Sequence, residues 1–273
     1  IKPQASLQRH AVILAHLDTN RCRLAWQSSA VRHIQPLTWL TLGILAALGL
    51  LYLVGALLGG VLWPWWLSLL PVGYVIGTIV TLWRDDCTPF SPGAHDNAAS
   101  VAVALEIAER LAAHPLDNTQ VWLAFTGAEE TDHAGVKTLL RKYPEIMRDA
   151  DFIDMEGVGS GDLVYLTKQG VCFPYRPDAN LLYIAKDVAE RQPELSVRAA
   201  QVVMEDEVRT LRGGGYRAIC IAGIDPLTGT LPHWHRASDT PDTVSEETMG
   251  RAAGYVMAML ADIDWLAAQL SVL

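Results

Sequence analysis

The side chains able to do chemistry gather at the ends of short apolar runs. His16 and Asp18 close AVILAHLDT, and Asp96 lies in GAHDNAASVAVALEIAERL. Glu129 and Glu130 end VWLAFTGAEE, Asp154 sits in DFIDMEG, and His235 in HWHRASDTPDTV. Open α/β sheets keep their ligands at strand ends and helix starts. Imidazole and carboxylate together suit zinc or a similar borderline cation, and a site with two ions needs one carboxylate that bridges them. The five segments therefore imply one metal site assembled from loop ends. The four cysteines, Cys22, Cys87, Cys172 and Cys220, have no metal-ligand spacing and are compatible with a reducing compartment.

Each segment alone has a plainer reading. Asp96 and Asn97 suit the cap of a following helix, the acidic pair suits a solvated loop, and His235 lies in a polar stretch between Pro232 and Pro241. Their conjunction in one chain carries the metal reading. Local geometry adds to it. In a strand, residues two apart share a face, so Asp18 can accept the second ring proton of His16 and fix its tautomer. Glu129 and Glu130 would leave a regular strand on opposite faces, so both reach one site only if the chain bends just after Gly127.

In motif order the chain resembles the co-catalytic di-zinc exopeptidases, the family of the bacterial leucyl aminopeptidases, plasma glutamate carboxypeptidase and, more distantly, glutaminyl cyclase. The resemblance spans about residues 10–167 and 200–265 apart from one long insert. It implies that His16, Asp96 and Asp154 hold one zinc ion and that Asp96, Glu130 and His235 hold the other, with Asp96 bridging. It also implies that Glu129 is the general base and that Asp18 orients His16. His235, four residues before Asp239-Thr240, fits the last ligand position, with His233 second. His95 lies near the site without a ligand role, while His10, His33, His114 and His133 read as surface residues. Where familiar members have an oxyanion-stabilising tyrosine, this chain has Trp234, whose indole donates one hydrogen bond but has no acidic hydroxyl. Members of the family usually carry a further helix and strand ahead of the first histidine, so the chain reads as a fragment or a processed product.

The insert is the second chemical feature. Residues 37–83 contain no Asp, Glu, Lys, Arg or His. About 20 apolar residues cross a bilayer as a helix, so the stretch fits two spans, 37–58 and 65–83, turning at Gly59, Gly60 and Pro64. Trp63, Trp65 and Trp66 suit one interface, and Trp39 and Trp83 the other. The chain thus divides into a catalytic domain, 1–36 and 84–273, and an inserted transmembrane hairpin, 37–83, both of whose ends return to the same side. Arg21, Arg23, Arg32 and Arg84 flank the hairpin, and the positive-inside rule then puts the catalytic domain in the cytoplasm. A hydrophobic subdomain packed on the catalytic domain is the alternative.

The remaining elements alternate as in an α/β protein. Strands are expected at 11–15, 120–125, 152–155, 163–167 and 218–222, and helices at 98–113, 132–142, 181–191 and 246–270. In the helix after Asp96, Val101, Leu105, Ala108 and Leu111 recur at intervals of three and four as a buried stripe. The fold expected is a mixed, mostly parallel sheet flanked by helices, interrupted by the hydrophobic hairpin. With 273 residues and net charge −9, the chain supports one sizeable soluble domain and excludes nucleic acid as a partner.

The function expected is a metal-dependent exopeptidase, an aminopeptidase first, acting on peptide substrates with two zinc ions and bound to a lipid bilayer through 37–83. The alternatives are a single-zinc acyltransferase of the glutaminyl cyclase kind and an inactive membrane-bound scaffold. For specificity, Arg212 and Arg217 could bind a carboxylate, and Glu205, Asp206 and Glu207 an amine. No pattern sets an oligomeric state.

Overall fold

A computed structural model describes residues 1, 9–23, 31, 33–59 and 63–270. Six strands form one sheet in the order β2-β1-β3-β6-β4-β5. They are β1 (Arg9–His16), β2 (Thr119–Thr126), β3 (Asp151–Glu156), β4 (Asp162–Lys168), β5 (Arg198–Gln201) and β6 (Arg217–Ile224). All pairs are parallel except β4 with β6, so the sheet is mixed and mostly parallel as expected.

Burial on both faces explains the apolar runs of the central strands. On β1, Ala11 and Ile13 face one core layer while Val12 and Leu14 face the other. On β3, Ile153 and Met155 share the first layer and Phe152 joins the second. The first layer is closed by α3 (Ala99–Ala113), α6 (Ala179–Arg191) and α8 (Glu246–Leu270), which contribute Ile107, Ile184 and the fully buried Tyr255. The second is closed by α4 (Ala134–Lys142), α5 (Pro144–Arg148) and α7 (Glu207–Gly213), through Val136, Met147 and Leu211.

The stripe expected on α3 is out of phase. Val103, Ala104, Ile107 and Leu111 are buried, whereas Leu105 is 53% exposed. Eleven of its fifteen positions are apolar, so two stripes meet the same spacing. Facing solvent falls to the side that carries Glu106 and Arg110, which pair across one turn.

The insert forms α1 (Ile34–Leu57) and α2 (Trp63–Asp86), each starting a little before the expected span. Both are long and apolar enough to cross a membrane, and most of their large side chains are exposed, including Leu50, Leu53, Trp66 and Leu70. The helices meet through hydrogen bonds, Thr41 Oγ1 with Tyr74 OH at 2.9 Å and Tyr52 OH to Ser68 Oγ at 2.7 Å. Gly55 packs so closely on Pro64 that a Cβ there would come within 2.6 Å of its Cγ. Small residues and side-chain hydrogen bonds are how helices associate where burial from water cannot drive them together. Gly60, placed in the turn, and Arg32, used for orientation, lie outside the described residues.

The two ends of the hairpin return side by side. Cys22 N donates to Pro89 O at 2.9 Å and Ser91 N to Asn20 O at 2.8 Å. The base of α1 is seated on the loop after β4, with Trp39 edge-on to Phe173 at 5.9 Å and Gln35 Nε2 bonded to Val171 O at 3.3 Å.

Candidate metal centre

Parallel strands β1, β2 and β3 run in register, so their C-terminal ends converge with the turn after the hairpin and the loop before α8. His16 is the last residue of β1. Its Nδ1 is 2.9 Å from the backbone carbonyl of Asp18, which as an acceptor fixes the proton there and turns Nε2 into the cleft. Nε2 lies 3.2 Å from Asp96 Oδ1 and 3.3 Å from Glu156 Oε2. The role foreseen for the Asp18 carboxylate thus falls to its carbonyl. The carboxylate, 3.8 Å from the ring nitrogen, accepts from Glu129 N and Glu130 N, both at 3.1 Å. It anchors the acidic turn.

That turn bends at Ala128, in the left-handed region with φ 56°, one residue past the expected glycine. The bend sends the two glutamates apart. Glu130 Oε1 is 2.9 Å from His235 Nε2, and its Oε2 accepts from Asn20 at 2.6 Å. Glu129 lies 3.4 Å from His133 Nε2. His133 is buried rather than on the surface, with Nδ1 2.8 Å from Thr210 Oγ1.

Asp96 sits in a π turn, Ala94–Ala98, where the Asp96–Asn97 peptide is cis. Asp239 holds it from behind, its carboxylate accepting from His95 N at 2.6 Å and Asp96 N at 3.2 Å. Asn97 bonds Met155 O and Gly157 N, tying the turn to the end of β3. With Oδ1 toward His16, Asp96 has Oδ2 3.4 Å from His235 Nε2. His233 faces away and contacts Ser238.

One expected ligand lies apart from the others. Asp154 and Glu156 share a face of β3, but Glu156 is the terminal residue and Asp154 lies one pleat deeper. The donor group beside His16 and Asp96 contains Glu156, whereas Asp154 groups with Asp206 and Cys220 beneath the site. Asp206 is there already saturated by Gln169, Tyr175 and the amide of Val208. The strand-end rule itself pointed to Glu156. Asn20 carried no signal in the sequence, while Asn97 read only as a helix cap, Asp239 only as a marker for His235 and His133 as a surface residue.

The specificity candidates divide similarly. Glu205 lines the cleft, Asp206 and Glu207 are buried behind it, and Arg217 bonds Asp151 at the far end of the sheet. Arg212 bonds Tyr216 O in its own helix-end turn.

The cleft measures about 450 Å³ and is lined by His16, Asp96, Glu129, Glu130, Glu156 and His235, with Trp234 as a wall. These residues fit cations. Two groups of three donors, His16, Asp96, Glu156 and Asp96, Glu130, His235, each lie within 4.8 Å. Glu156 Oε1 is buried without a hydrogen-bond partner among the described residues. Burial, helped by Glu156, raises Glu129 well above the usual carboxylate range, and burial raises Glu156 itself to about 8 despite His16. Burial opposes charge on His235, yet its hydrogen bonds to Asp96 and Glu130 raise it to about 9. The cluster therefore favours added positive charge, which a bound cation supplies.

A stability prediction arises here. Glu156 at about 8, Glu207 at about 7 and His235 at about 9 hold protons in the folded chain that the unfolded chain releases at roughly pH 4.3 and 6.5. Raising the pH from about 6.5 to 9 therefore removes protons preferentially from the folded state, and stability falls. His95 and His133, lowered to about 4 chiefly by burial, act only below that window. The Tm of the chelated protein should drop across pH 6.5–9, and added zinc should raise it most at the upper end. A flat or rising Tm would contradict the arrangement.

Residues 85–260 match Peptidase family M28. The chain belongs to this family. Endoplasmic reticulum metallopeptidase 1 of Rattus norvegicus is 31% identical over 186 residues, covering 64% of this chain and 19% of that protein. Aminopeptidase YwaD of Bacillus subtilis is 29% identical over 184 residues, covering 63% and 38%. The chain thus spans well under half the length of these relatives. Among solved structures, a Bacillus subtilis zinc aminopeptidase superposes with TM-score 0.54 at 21% identity, covering 64% of this chain and 43% of the other. A Bacteroides thetaiotaomicron glutaminyl cyclase superposes with TM-score 0.57 at 15% identity, covering 94% and 74%.

Proposed function

We propose that this M28 chain is a membrane-anchored exopeptidase of the aminopeptidase type that works with two zinc ions. The carrying observation is Asp96, whose two oxygens face two imidazoles in separate donor groups, while Glu129 stands beside both and belongs to neither. His16, Asp96 and Glu156 would hold one ion and Asp96, Glu130 and His235 the other; bound there, the ions polarise the scissile carbonyl and acidify water. Glu129 takes the proton of the attacking water and hands it to the leaving amine. Asp18 sets its position through the turn, and Trp234 bounds the substrate beside His235. The similarity to Aminopeptidase YwaD of Bacillus subtilis supports the aminopeptidase choice.

Through α1 and α2 the enzyme sits on a bilayer, and Arg21, Arg23 and Arg84 at the hairpin base favour the cytoplasmic face. A cyclase reading draws on the neighbour that covers 94% of the chain, but two complete donor groups favour two ions over one. Elemental analysis after zinc loading should return two ions per chain, with leucyl substrates hydrolysed. One ion, unchanged by His16→Ala, together with cyclisation of N-terminal glutamine, would overturn the proposal.

A further inference from the structure

The two apolar helices hold a second cavity, of about 590 Å³, at the end that meets the catalytic domain. Leu37, Thr38 and Thr41 line it from α1, and Tyr74, Gly77 and Thr81 from α2. The helices touch at its far end through Thr41 and Tyr74, 2.9 Å apart, and stay together beyond at Tyr52–Ser68 and Gly55–Pro64. Toward the domain they part. Ile34 and Thr38 line both this cavity and the metal cleft, so the two spaces adjoin across these residues.

The walls dictate what fits. The threonine hydroxyls are already used, Thr38 on Ile34 O at 2.8 Å, Thr41 on Leu37 O at 2.9 Å, Thr78 on Tyr74 O at 3.0 Å and Thr81 on Gly77 O at 2.9 Å. Such bonds to the preceding turn satisfy the hydroxyl within its own helix. What remains facing the cavity asks for apolar contact. Among the described residues that line it, Asp85 is the one acidic residue and none is basic, so no side chain there attracts the head of a fatty acid or an anionic lipid. From Ile34 to Thr41 a helix rises about 10 Å, the reach of about three extended residues.

We propose that this cavity extends the substrate cleft and receives apolar side chains from the residues that follow the cleaved bond, so that preferred substrates are peptides with an apolar N-terminal segment, as on a chain emerging from a bilayer. The proposal rests on the peptidase reading above. Its occupant enters past Ile34 and Thr38, which the cavity shares with the metal cleft.

The test uses the full-length, zinc-loaded protein in phosphatidylcholine nanodiscs. Two peptides share the N-terminal leucine and the residue after it, and differ only in the next three, all leucine in one and serine-glutamine-serine in the other. Leucyl-p-nitroanilide, too short to reach the cavity, is the control. Burying one leucine-sized side chain should favour the apolar peptide by about 10-fold in kcat/KM. Gly77→Leu places a side chain where a Cβ meets nothing within 4 Å and should abolish that preference while p-nitroanilide turnover is unchanged. Gly77→Ala should abolish part of it, and serves if the leucine disturbs the helix. Because the lipid is the same throughout, simple partitioning of the apolar peptide would survive Gly77→Leu. Equal rates on the two peptides, or a preference that Gly77→Leu leaves intact, overturn the cavity proposal and leave the enzyme reading standing. Failure to hydrolyse even leucyl-p-nitroanilide overturns the peptidase reading, and the cavity proposal with it.

Discussion

Glu129→Gln should lower peptide turnover by about 100-fold or more, the usual scale for loss of a general base, while metal content and Tm stay near those of the parent. The geometry separates this residue from its neighbour. Glu129 belongs to neither three-donor group, and its nearest charged-group partner is His133 Nε2 at 3.4 Å. His133 is pushed to about 4, first by burial and then by Arg209, so it offers Glu129 a neutral hydrogen-bonding ring rather than a charge. Glutamine keeps that shape and loses only the proton acceptor. Glu130→Gln, at 2.9 Å from His235 Nε2, should instead cost bound metal. Both amides hang from the same Asp18 carboxylate, so a general disturbance of the turn would affect the two variants alike. Near-normal turnover by metal-loaded Glu129→Gln would end the proposed proton-transfer role.

How much of this was legible in the sequence depends on the range of the force involved. Strands β1 and β6 announce themselves because a strand buried on both faces is largely apolar, and VILA and ICIA are runs of that kind, while β3 keeps FIDM with Asp154 as its one break. Strand β5 does not, because a four-residue edge strand with mostly exposed side chains needs no apolar pattern. The phase of α3 failed for the opposite reason: too many apolar residues fit two stripes, and only tertiary packing chose Ile107 over Leu105. In the site, His16, Asp96, Glu130 and His235 come together across wide separations because each follows or precedes an element that ends at the same edge of the sheet. His133 and Asp239 owe their places to folding alone. One lies near its partner Glu129 in sequence but becomes buried only when α7 brings Thr210 against it, and the other reaches Asp96 from the loop before α8.

The choice between Asp154 and Glu156 is where sequence and geometry differ most sharply, and a pair of substitutions resolves it. Both carboxylates are fully or nearly fully buried on one face of β3. Burial first, then Glu156 and Asp206, drives Asp154 well above the usual carboxylate range, which favours its neutral form, and its two oxygens have no hydrogen-bond partner among the described residues. Asp154→Asn exchanges one neutral group for another of the same shape. It should leave two zinc ions bound and change turnover by less than about 3-fold, within the usual range for a substitution that removes no charge and no bond. Glu156→Gln removes a donor 3.3 Å from His16 Nε2. It should weaken one zinc by more than the roughly 10–100-fold typical of losing an outer partner of a ligand, and turnover should fall with occupancy and recover in part at high zinc. Zinc titration of the two variants after chelation, read beside leucyl-peptide hydrolysis, distinguishes the assignments. An Asp154→Asn protein that keeps one ion, with Glu156→Gln keeping two, would return the ligand role to the deeper residue and require β3 to end one pleat earlier in the metal-bound enzyme.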